Sequence, residues 1–289
     1  MSTIPSTNAD YGVRSMTSTL RRVLVSAPAL EGDFAAAGWR QPDAALLQRQ
    51  HDAFCELLDG LGCEVVVASA PDGLVDGVFA YDPVFVTGAG SIVLQMAKPQ
   101  RQGEAERLAA ACRTAGVPIA GRLSGSARAD GGDLFWVDDH TLAAGRGYRT
   151  NAEGQRQIAD ILAREGATLE RCDLPHDRGA AHVLHLLSVV SPVADNLAVV
   201  FEPLAPVPLL ELLDERGIRR VPIDADEYET IGCNVLAIRP GVVVVADGNP
   251  RTRRALEAVG VEVHAYAASE LSKGDGGPTC LTRPLLRRA

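Results

Sequence analysis

The sequence has few aromatic residues, no closely spaced cysteine pairs and no long apolar run. Phe, Trp and Tyr make up only 4% of its 289 residues, so a core must be built mainly from Val, Leu, Ile and Ala. No two cysteines have Cys-x-x-Cys spacing, and a chain of this length does not depend on disulfides for stability. These features predict reduced thiols and a cytoplasmic protein.

Excess positive charge is also missing. The formal net charge is −9, which argues against nucleic acid or an anionic membrane as a partner. No stretch of apolar residues is long enough to span a membrane, and MSTIPSTNADYGVRS has no apolar signal-peptide core. The Ser/Thr-rich residues 1–19 are expected to be flexible, and residues 20–289 to form a single domain.

Four similar segments follow one another at fairly regular intervals. They start at Asp82, Asp130, His185 and Asn234. Each has a short apolar strand, a turn with Gly, Asp or Pro, a second β-branched strand, an amphipathic helix and a last strand. The first part of the chain is a degenerate fifth copy, with LRRVLVSAP and CEVVVASAP as strands around one helix.

Five such ββαβ units favour a closed ring, in which each unit buries its face against the next. A doubly wound sheet ranks second, because it would have mainly one strand per helix. Residues 29–43 interrupt the first unit and are expected to form a surface loop that could act as a lid.

The polar residues that start the four segments would converge on the axis of such a ring. An unpaired buried polar group costs roughly 1–3 kcal/mol. We therefore expect Asp82, Asp130, His185 and Asn234 to bond one another or a polar ligand.

Cys280 differs from the other cysteines, because it follows the glycine-rich stretch KGDGGPT rather than lying in a helix or strand pattern. Glycines allow close approach of a ligand, which makes Cys280 a candidate nucleophile with a histidine as its base. His182 and His185 could bind a metal if they shared a helical face. However, HVLHLLSVVSP is more typical of a strand, in which residues three apart face opposite ways. No metal and no cofactor are predicted.

Together these motifs resemble the guanidino-group-modifying superfamily, which comprises arginine deiminases, amidinotransferases and dimethylarginine dimethylaminohydrolases. The resemblance extends from about residue 20 to residue 282. It implies an α/β fold, the five-fold pseudosymmetric α/β propeller of ββαβ units, in agreement with the repeat.

The resemblance implies roles for individual residues. Asp82 in VFAYDPVFVT would hold the substrate guanidinium, with Phe79 of the same segment also in the substrate site. Arg101 in PQRQGE would bind substrate.

The remaining motifs imply the catalytic groups. Asp130 in DGGD would partner the catalytic histidine, His185 in HLLS. Arg149 in GYRTNAEG would grip the substrate carboxylate, and Cys280 in GGPTC would be the nucleophile.

Three positions depart from the family pattern. Tyr81 stands where methylarginine hydrolases often have Glu and arginine deiminases have Arg. Leu187 stands where deiminases have a second guanidinium-binding Asp. Asp130 is one methylene shorter than the usual Glu. The missing second carboxylate favours a substituted guanidine over plain arginine.

The implied reaction is hydrolysis of a methylated arginine to citrulline and (di)methylamine through a covalent thiouronium. A bound cation beside protonated His185 would favour the Cys280 thiolate below its free pKa of about 8.5. An arginine deiminase or dihydrolase, an amidinotransferase, a non-catalytic binder of cationic amino acids and a metal hydrolase remain alternatives. The expected partner is a small guanidine; homodimer formation is left open.

Overall fold

The computed structural model describes residues 10–70 and 73–288. The strands are β1 Thr19–Ser26, β2 Glu64–Ala68, β3 Val84–Val86, β4 Ser91–Val93, β5 Ile119–Arg122, β6 Leu134–Trp136, β7 Thr141–Arg146, β8 Thr168–Asp173, β9 Val190–Ala194, β10 Leu197–Val200, β11 Arg219–Pro222, β12 Val235–Arg239, β13 Val242–Ala246, β14 Glu262–Tyr266 and β15 Thr282–Arg288. The α-helices are α1 Ala44–Gly60, α2 Glu104–Thr114, α3 Ala152–Ala163, α4 Leu186–Val189, α5 Val207–Glu215, α6 Ala225–Glu229 and α7 Pro250–Ala258.

The strands form five separate three-stranded sheets, in the orders β15-β1-β2, β3-β4-β5, β6-β7-β8, β9-β10-β11 and β12-β13-β14. In every sheet the middle strand is antiparallel to the first strand and parallel to the third. The parallel partner must return by a crossover, and in each unit a helix provides it. The predicted α/β propeller of ββαβ units is confirmed, and the doubly wound alternative is wrong.

The first strand of the first unit comes from the other end of the chain. β15 pairs antiparallel with β1, so that Thr19 faces Arg288. The segment interpreted as a degenerate copy therefore belongs to a complete unit, whose first strand is contributed by the C-terminal residues.

Contacts between neighbouring sheets continue around all five units. β15 contacts β3, β9 contacts β12, and β12 contacts β1. A bridge between Gln95 and Ala129 joins the second and third units, and α4 contacts both β6 and β9. Two of these contacts, β15 with β3 and β9 with β12, join first strands of different units, so the residues immediately before those strands lie close together.

The outer helices begin and pack as their sequences predict. The Asp43 side chain caps α1 by accepting a hydrogen bond from the Leu46 backbone N–H at 2.8 Å. Leu47, Phe54 and Leu58 form the buried face of α1, at the spacing expected for an amphipathic helix.

The predicted flexible segment 1–19 falls partly on residues 1–9, outside the described residues. The following residues bond to the body of the protein. The Gly12 N–H donates to the Leu285 carbonyl at 2.8 Å, and Thr17 donates to the Asp195 carboxylate at 2.7 Å. From residue 10 onward this segment therefore contacts the body of the protein, and its backbone adds to the edge of β15.

Among residues 10–70 and 73–288, no helix is long and apolar enough to cross a bilayer.

Candidate active site

Each of the five units places one chemically distinctive side chain just before its first strand. These residues are Asp82 before β3, Asp130 before β6, His185 before β9, Asn234 before β12 and Cys280 before β15. The first four are buried, and Cys280 is partly buried. The repeat predicted the convergence of four of these positions. Cys280 completes the set because it precedes the strand that closes the ring.

His185 lies at the start of the single-turn helix α4, not in the strand predicted for HVLHLLSVVSP. Its backbone N–H donates to Oγ of Ser188 at 3.0 Å, and this capping contact favours a helical turn over a strand. The Nε2 atom of His185 lies 3.2 Å from Oδ2 of Asp130. The shorter side chain of aspartate therefore still reaches the imidazole.

The two glycines of DGGD are required by close packing rather than by an unusual backbone angle. A Cβ on Gly132 would overlap the Nδ1 side of the His185 ring, and one on Gly131 would overlap the Tyr81 carbonyl. The Gly132 N–H also donates to Oδ1 of Asp82 at 2.9 Å. This turn therefore holds the His185 imidazole beside the Asp82 carboxylate, with Nδ1 of His185 3.9 Å from Oδ1 of Asp82.

The electrostatic surroundings of His185 favour its protonated form. Burial alone would lower the pKa of the imidazole, but the carboxylates of Asp82, Asp130 and Asp133 outweigh it and raise the pKa to about 9. His185 is therefore a cation at neutral pH, with a proton available on the Nδ1 side that faces Asp82.

Asp82 is held by a buried arginine. Arg101 donates from Nη1 to Oδ2 of Asp82 at 2.6 Å and binds Glu104 through Nε and Nη2 at 2.9 and 2.8 Å. Burial would raise the pKa of Asp82, but the Arg101 and His185 cations overcome this and lower it. Asp82 is thus an anion able to bind a guanidinium group, as its contact with Arg101 shows.

Cys280 ends the glycine-rich loop that precedes β15. Its Sγ accepts a hydrogen bond from Nδ2 of Asn234 at 3.1 Å, and its carbonyl accepts one from the Tyr81 backbone N–H at 3.1 Å, so the loop adjoins the Asp82 segment. Burial, and secondarily the Asp82 charge, raise the pKa of the thiol to about 11. In these surroundings the Cys280 thiol is therefore protonated at neutral pH.

Residues 29–43 lie beside this region as a loop anchored by an aromatic stack. Trp39 stacks on Phe79 with ring centroids 5.3 Å apart and donates from Nε1 to Asp76 at 2.7 Å. Phe79 in turn packs so closely on Gly276 that a Cβ there would overlap its ring. Lys98 bonds to Asp76 at 2.6 Å. The stack joins the loop to the cysteine segment.

Arg149 is partly buried and makes no hydrogen bond or ion pair with any residue that the structure describes, and its buried Nε has no partner. The next residue, Thr150, accepts a hydrogen bond from the Asp130 N–H at 3.3 Å, which places Arg149 beside the third unit's part of the site. Its guanidinium is available for an anionic group.

Two of the three departures from the family pattern, Tyr81 and Leu187, are packed in the core. Tyr81 is buried beneath the guanidinium of Arg283, 3.7 Å from its ring centroid, and its hydroxyl donates to the Leu134 carbonyl at 3.3 Å. Leu187 is buried in the core. Neither supplies a second carboxylate for a guanidinium.

Over residues 10–70 and 73–288, one group of side chains has the spacing of a metal site: Asp82, Asp130 and His185. Its atoms are already paired with Arg101 and with one another, and the neighbouring Arg101 cation opposes a metal ion there. His182 is exposed and does not belong to this group.

Sequence reasoning missed the supporting residues of the site. Trp39, Asp76 and Lys98 lie on three separate segments, so only the fold brings them together. Glu104 had a detectable signal, since it follows Arg101 by three residues in PQRQGE and lies at the first position of α2, where acidic residues are favoured.

Comparison with known proteins agrees with this fold. The chain is 27% identical to the dimethylarginine dimethylaminohydrolase of Pseudomonas aeruginosa, over 84% of this chain and 89% of that protein. It is also 27% identical to an arginine deiminase of Listeria monocytogenes, over 75% of this chain and 62% of the deiminase. Both relatives are hydrolytic enzymes that act on guanidino C–N bonds.

Solved structures show the same fold. The Pseudomonas aeruginosa dimethylarginine dimethylaminohydrolase in complex with citrulline superposes with a TM-score of 0.76 at 23% identity, over 92% of this chain and 99% of that one. SxtG, an amidinotransferase from Microseira wollei, superposes with a TM-score of 0.78 at 16% identity, over 97% and 98%. The sequence profile described as arginine deiminase matches residues 72–205 and 194–287. The chain therefore belongs to the arginine deiminase family, within the guanidino-group-modifying superfamily.

Proposed function

We propose that this protein is a cysteine-dependent hydrolase that converts methylated arginine to citrulline and (di)methylamine. The observation that carries the proposal is the convergence of Asp82, Asp130, His185 and Cys280 at the starts of four units. Asp82 offers an anionic guanidinium ligand, Cys280 a nucleophile and His185 a proton, with Asp130 fixing the imidazole.

The protonation states of His185 and Cys280 make formation of the thiolate dependent on the bound substrate. His185 is an imidazolium with a pKa of about 9, and Cys280 is a thiol with a pKa of about 11. A substrate guanidinium bound at Asp82 cancels the negative field that helps to raise the thiol pKa and adds a positive charge beside sulfur. Substrate binding therefore favours loss of the Cys280 thiol proton to solvent, since His185 is already protonated, and the thiolate forms only when the electrophile is in place.

The thiolate attacks the guanidinium carbon and forms a C–S bond. The C–N bond to the methylated nitrogen breaks, and His185 gives its proton to the departing amine. A covalent thiouronium remains. His185, now neutral, takes a proton from water, which attacks the same carbon; the C–S bond breaks, releasing the ureido product and regenerating the thiolate.

Two arginines are proposed to bind the amino-acid part of the substrate. Arg149, which has no partner among the described residues, would pair with the α-carboxylate. Arg101 already uses one N–H of Nε, one of Nη1 and two of Nη2 for Asp82, Glu104 and the Phe79 carbonyl. Of its five donors, one Nη1–H is left for the substrate.

The number of carboxylates favours a substituted guanidine. Of the positions at which the family carries a guanidinium-binding carboxylate, only Asp82 has one here, because Tyr81 packs in the core and Leu187 is apolar. With a single carboxylate, one side of the bound guanidinium has no charged partner. N-methyl groups can occupy that side without leaving a buried carboxylate unpaired. Plain arginine as the substrate of a deiminase or dihydrolase remains the second candidate.

Product analysis by mass spectrometry tests the proposal. The purified protein is incubated with arginine, monomethylarginine and asymmetric dimethylarginine, each beside a Cys280→Ser control. We expect citrulline and dimethylamine from the dimethylated substrate and neither from the control.

Other products would change the assignment. Ammonia and citrulline from plain arginine would indicate a deiminase, and accumulation of ornithine a dihydrolase. Turnover only with an added amine would indicate an amidinotransferase. No turnover of any substrate, or full activity in Cys280→Ser, would overturn the proposed hydrolase.

A further inference from the structure

Asn234 is the one unit-start residue to which the proposed reaction gives no role. It lies directly before β12, as Asp82, Asp130, His185 and Cys280 lie before the first strands of the other units. It is 8% exposed, and its side chain contacts the cysteine loop rather than solvent.

The orientation of the Asn234 amide is fixed by its neighbours. Its Oδ1 accepts a hydrogen bond from the Thr279 backbone N–H at 2.9 Å. Because a backbone N–H can only donate, the oxygen must face Thr279, and the NH2 group must face Sγ of Cys280, 3.1 Å away. The amide is thus a donor aimed at the sulfur.

Glycine packing holds this amide in place. A Cβ on Gly277 would lie only 2.7 Å from Cγ of Asn234, so the loop rests directly on the amide plane. This close packing restricts movement of the amide, so that its NH2 group stays directed at the sulfur.

The charges around Cys280 oppose a thiolate. Burial and the Asp82 carboxylate raise its pKa, whereas the Gly277 N–H, the Asn234 amide and the Arg101 cation lower it. The buried hydroxyl of Tyr266, whose pKa is raised by burial and next by Cys280, stays neutral. Asn234 is therefore the side-chain donor that contacts the sulfur directly.

We propose that Asn234 is a further catalytic residue, whose amide stabilises negative charge on Cys280 Sγ. The inference rests on the proposed function for its place in the reaction, but the hydrogen bond itself can be tested without turnover.

The donor acts at two points of the reaction. It stabilises the thiolate formed when substrate binds, and it loses strength when sulfur becomes a neutral thioether in the thiouronium. When water attacks the thiouronium carbon, the C–S bond breaks and its electron pair returns to the Cys280 sulfur. The amide then stabilises the departing thiolate, while the proton from water goes to His185.

The experiment measures alkylation of individual cysteines by iodoacetamide between pH 7 and 10, using peptide mass spectrometry. Cys55 serves as a reference within the same molecule, because it is also partly buried and its pKa is also raised to about 11. The measured quantity is the ratio of the Cys280 rate to the Cys55 rate, which a general change in reagent or pH leaves unchanged.

Two variants remove the donor. Asn234→Ala deletes the amide, and Asn234→Asp keeps the acceptor for Thr279 but turns a carboxylate oxygen toward the sulfur. A lost hydrogen bond to a charged group corresponds to a rise of about one pKa unit. Because a more basic thiolate is also more reactive, the rate ratio should fall about threefold to tenfold in Asn234→Ala, and further in Asn234→Asp.

Thr279→Val is the matched control. The Thr279 hydroxyl also ties this loop to β12, donating to the Val235 carbonyl at 3.1 Å, but it does not contact sulfur. We expect its rate ratio to equal that of the wild type. An unchanged ratio in both Asn234 variants, or an equal fall in Thr279→Val, would overturn the inference.

The outcomes separate this inference from the proposed function. A lowered ratio in a protein that turns over none of the guanidines would leave the Asn234 contact standing and remove the proposed hydrolase. Unchanged rate ratios in the Asn234 variants of a protein with confirmed hydrolase activity would remove the role of Asn234 and leave the proposed hydrolase standing.

Discussion

Gly132 shows how a residue without a side chain determines the geometry of the site. The His185 ring lies against its Cα, and its N–H binds Asp82. A Gly-Gly pair flanked by aspartates, as in DGGD, is common in hairpin turns. In this structure neither glycine has a left-handed backbone. Both positions require glycine because the His185 ring and the Tyr81 carbonyl approach their Cα atoms closely.

We predict that Gly132→Ala reduces kcat/KM by about 100-fold, because the added Cβ forces the buried imidazole away from Asp82 and Asp130, and a displacement of about 1 Å has that effect on a positioned group. Steady-state kinetics with the best guanidine substrate would measure it. Gly60→Ala is the control, since nothing lies within 4 Å of a Cβ at Gly60 in α1. Activity in Gly132→Ala equal to that of Gly60→Ala would contradict the prediction.

At the level of single residues, the sequence predicted which groups meet but not how they pair. The repeat placed Asp82, Asp130 and His185 together, because equivalent positions of repeated units meet at the axis. Whether Tyr81 faces the substrate depends on Arg283, which is distant in sequence and packs against its ring. Contacts of this kind are set by tertiary packing, which local sequence does not encode.

At the level of elements, the loop 29–43 and the helix α4 were the least predictable. The turn at α4 depends on the capping contact of Ser188, which a strand-like apolar run conceals. The loop has no secondary structure of its own, and its position depends on Trp39, Phe79 and Asp76 from separate segments. Its role as a lid is a prediction that the anchoring contacts make testable.

We predict that Trp39→Ala opens this loop, because the variant loses the stack on Phe79 and the hydrogen bond to Asp76. Limited proteolysis should cut within residues 29–43 faster than in the wild type. KM should rise about tenfold, the effect of losing about 1.4 kcal/mol of ring packing. Leu30→Ala is the matched control, since Leu30 is 43% exposed in the same loop. Equal cleavage rates in the two variants would show that Trp39 does not hold the loop closed.

At the level of the whole molecule, the chain ends meet where the other units have a hairpin turn. β15 and β1 pair antiparallel with Thr19 opposite Arg288, as the first two strands pair in every other unit. The sequence predicted five units but not this closure, because the pairing joins residues at opposite ends of the chain. The same closure explains why Cys280 is a unit-start residue.

This equivalence predicts that the ring can be opened elsewhere. An Asn-Gly turn between Arg288 and Thr19 should complete the first unit as a two-residue hairpin. The new ends would lie between Asp139 and His140, whose side chains are 72% and 70% exposed in the β6–β7 turn. We expect this circular permutant to fold cooperatively and to be at least as stable to urea as the linear chain of residues 19–288, because a short loop replaces two free strand ends.

The linear chain is the proper comparison because both proteins lack residues 10–18, whose contacts with β15 and Asp195 stabilise the native protein. Circular dichroism and urea unfolding would measure the two side by side. A second permutant, opened between Ala143 and Ala144 inside β7, should not fold, because it breaks a strand that pairs on both sides. If both permutants unfold alike, the hairpin turns are not equivalent positions, and the five units do not share the structural symmetry that places one reactive residue before each first strand.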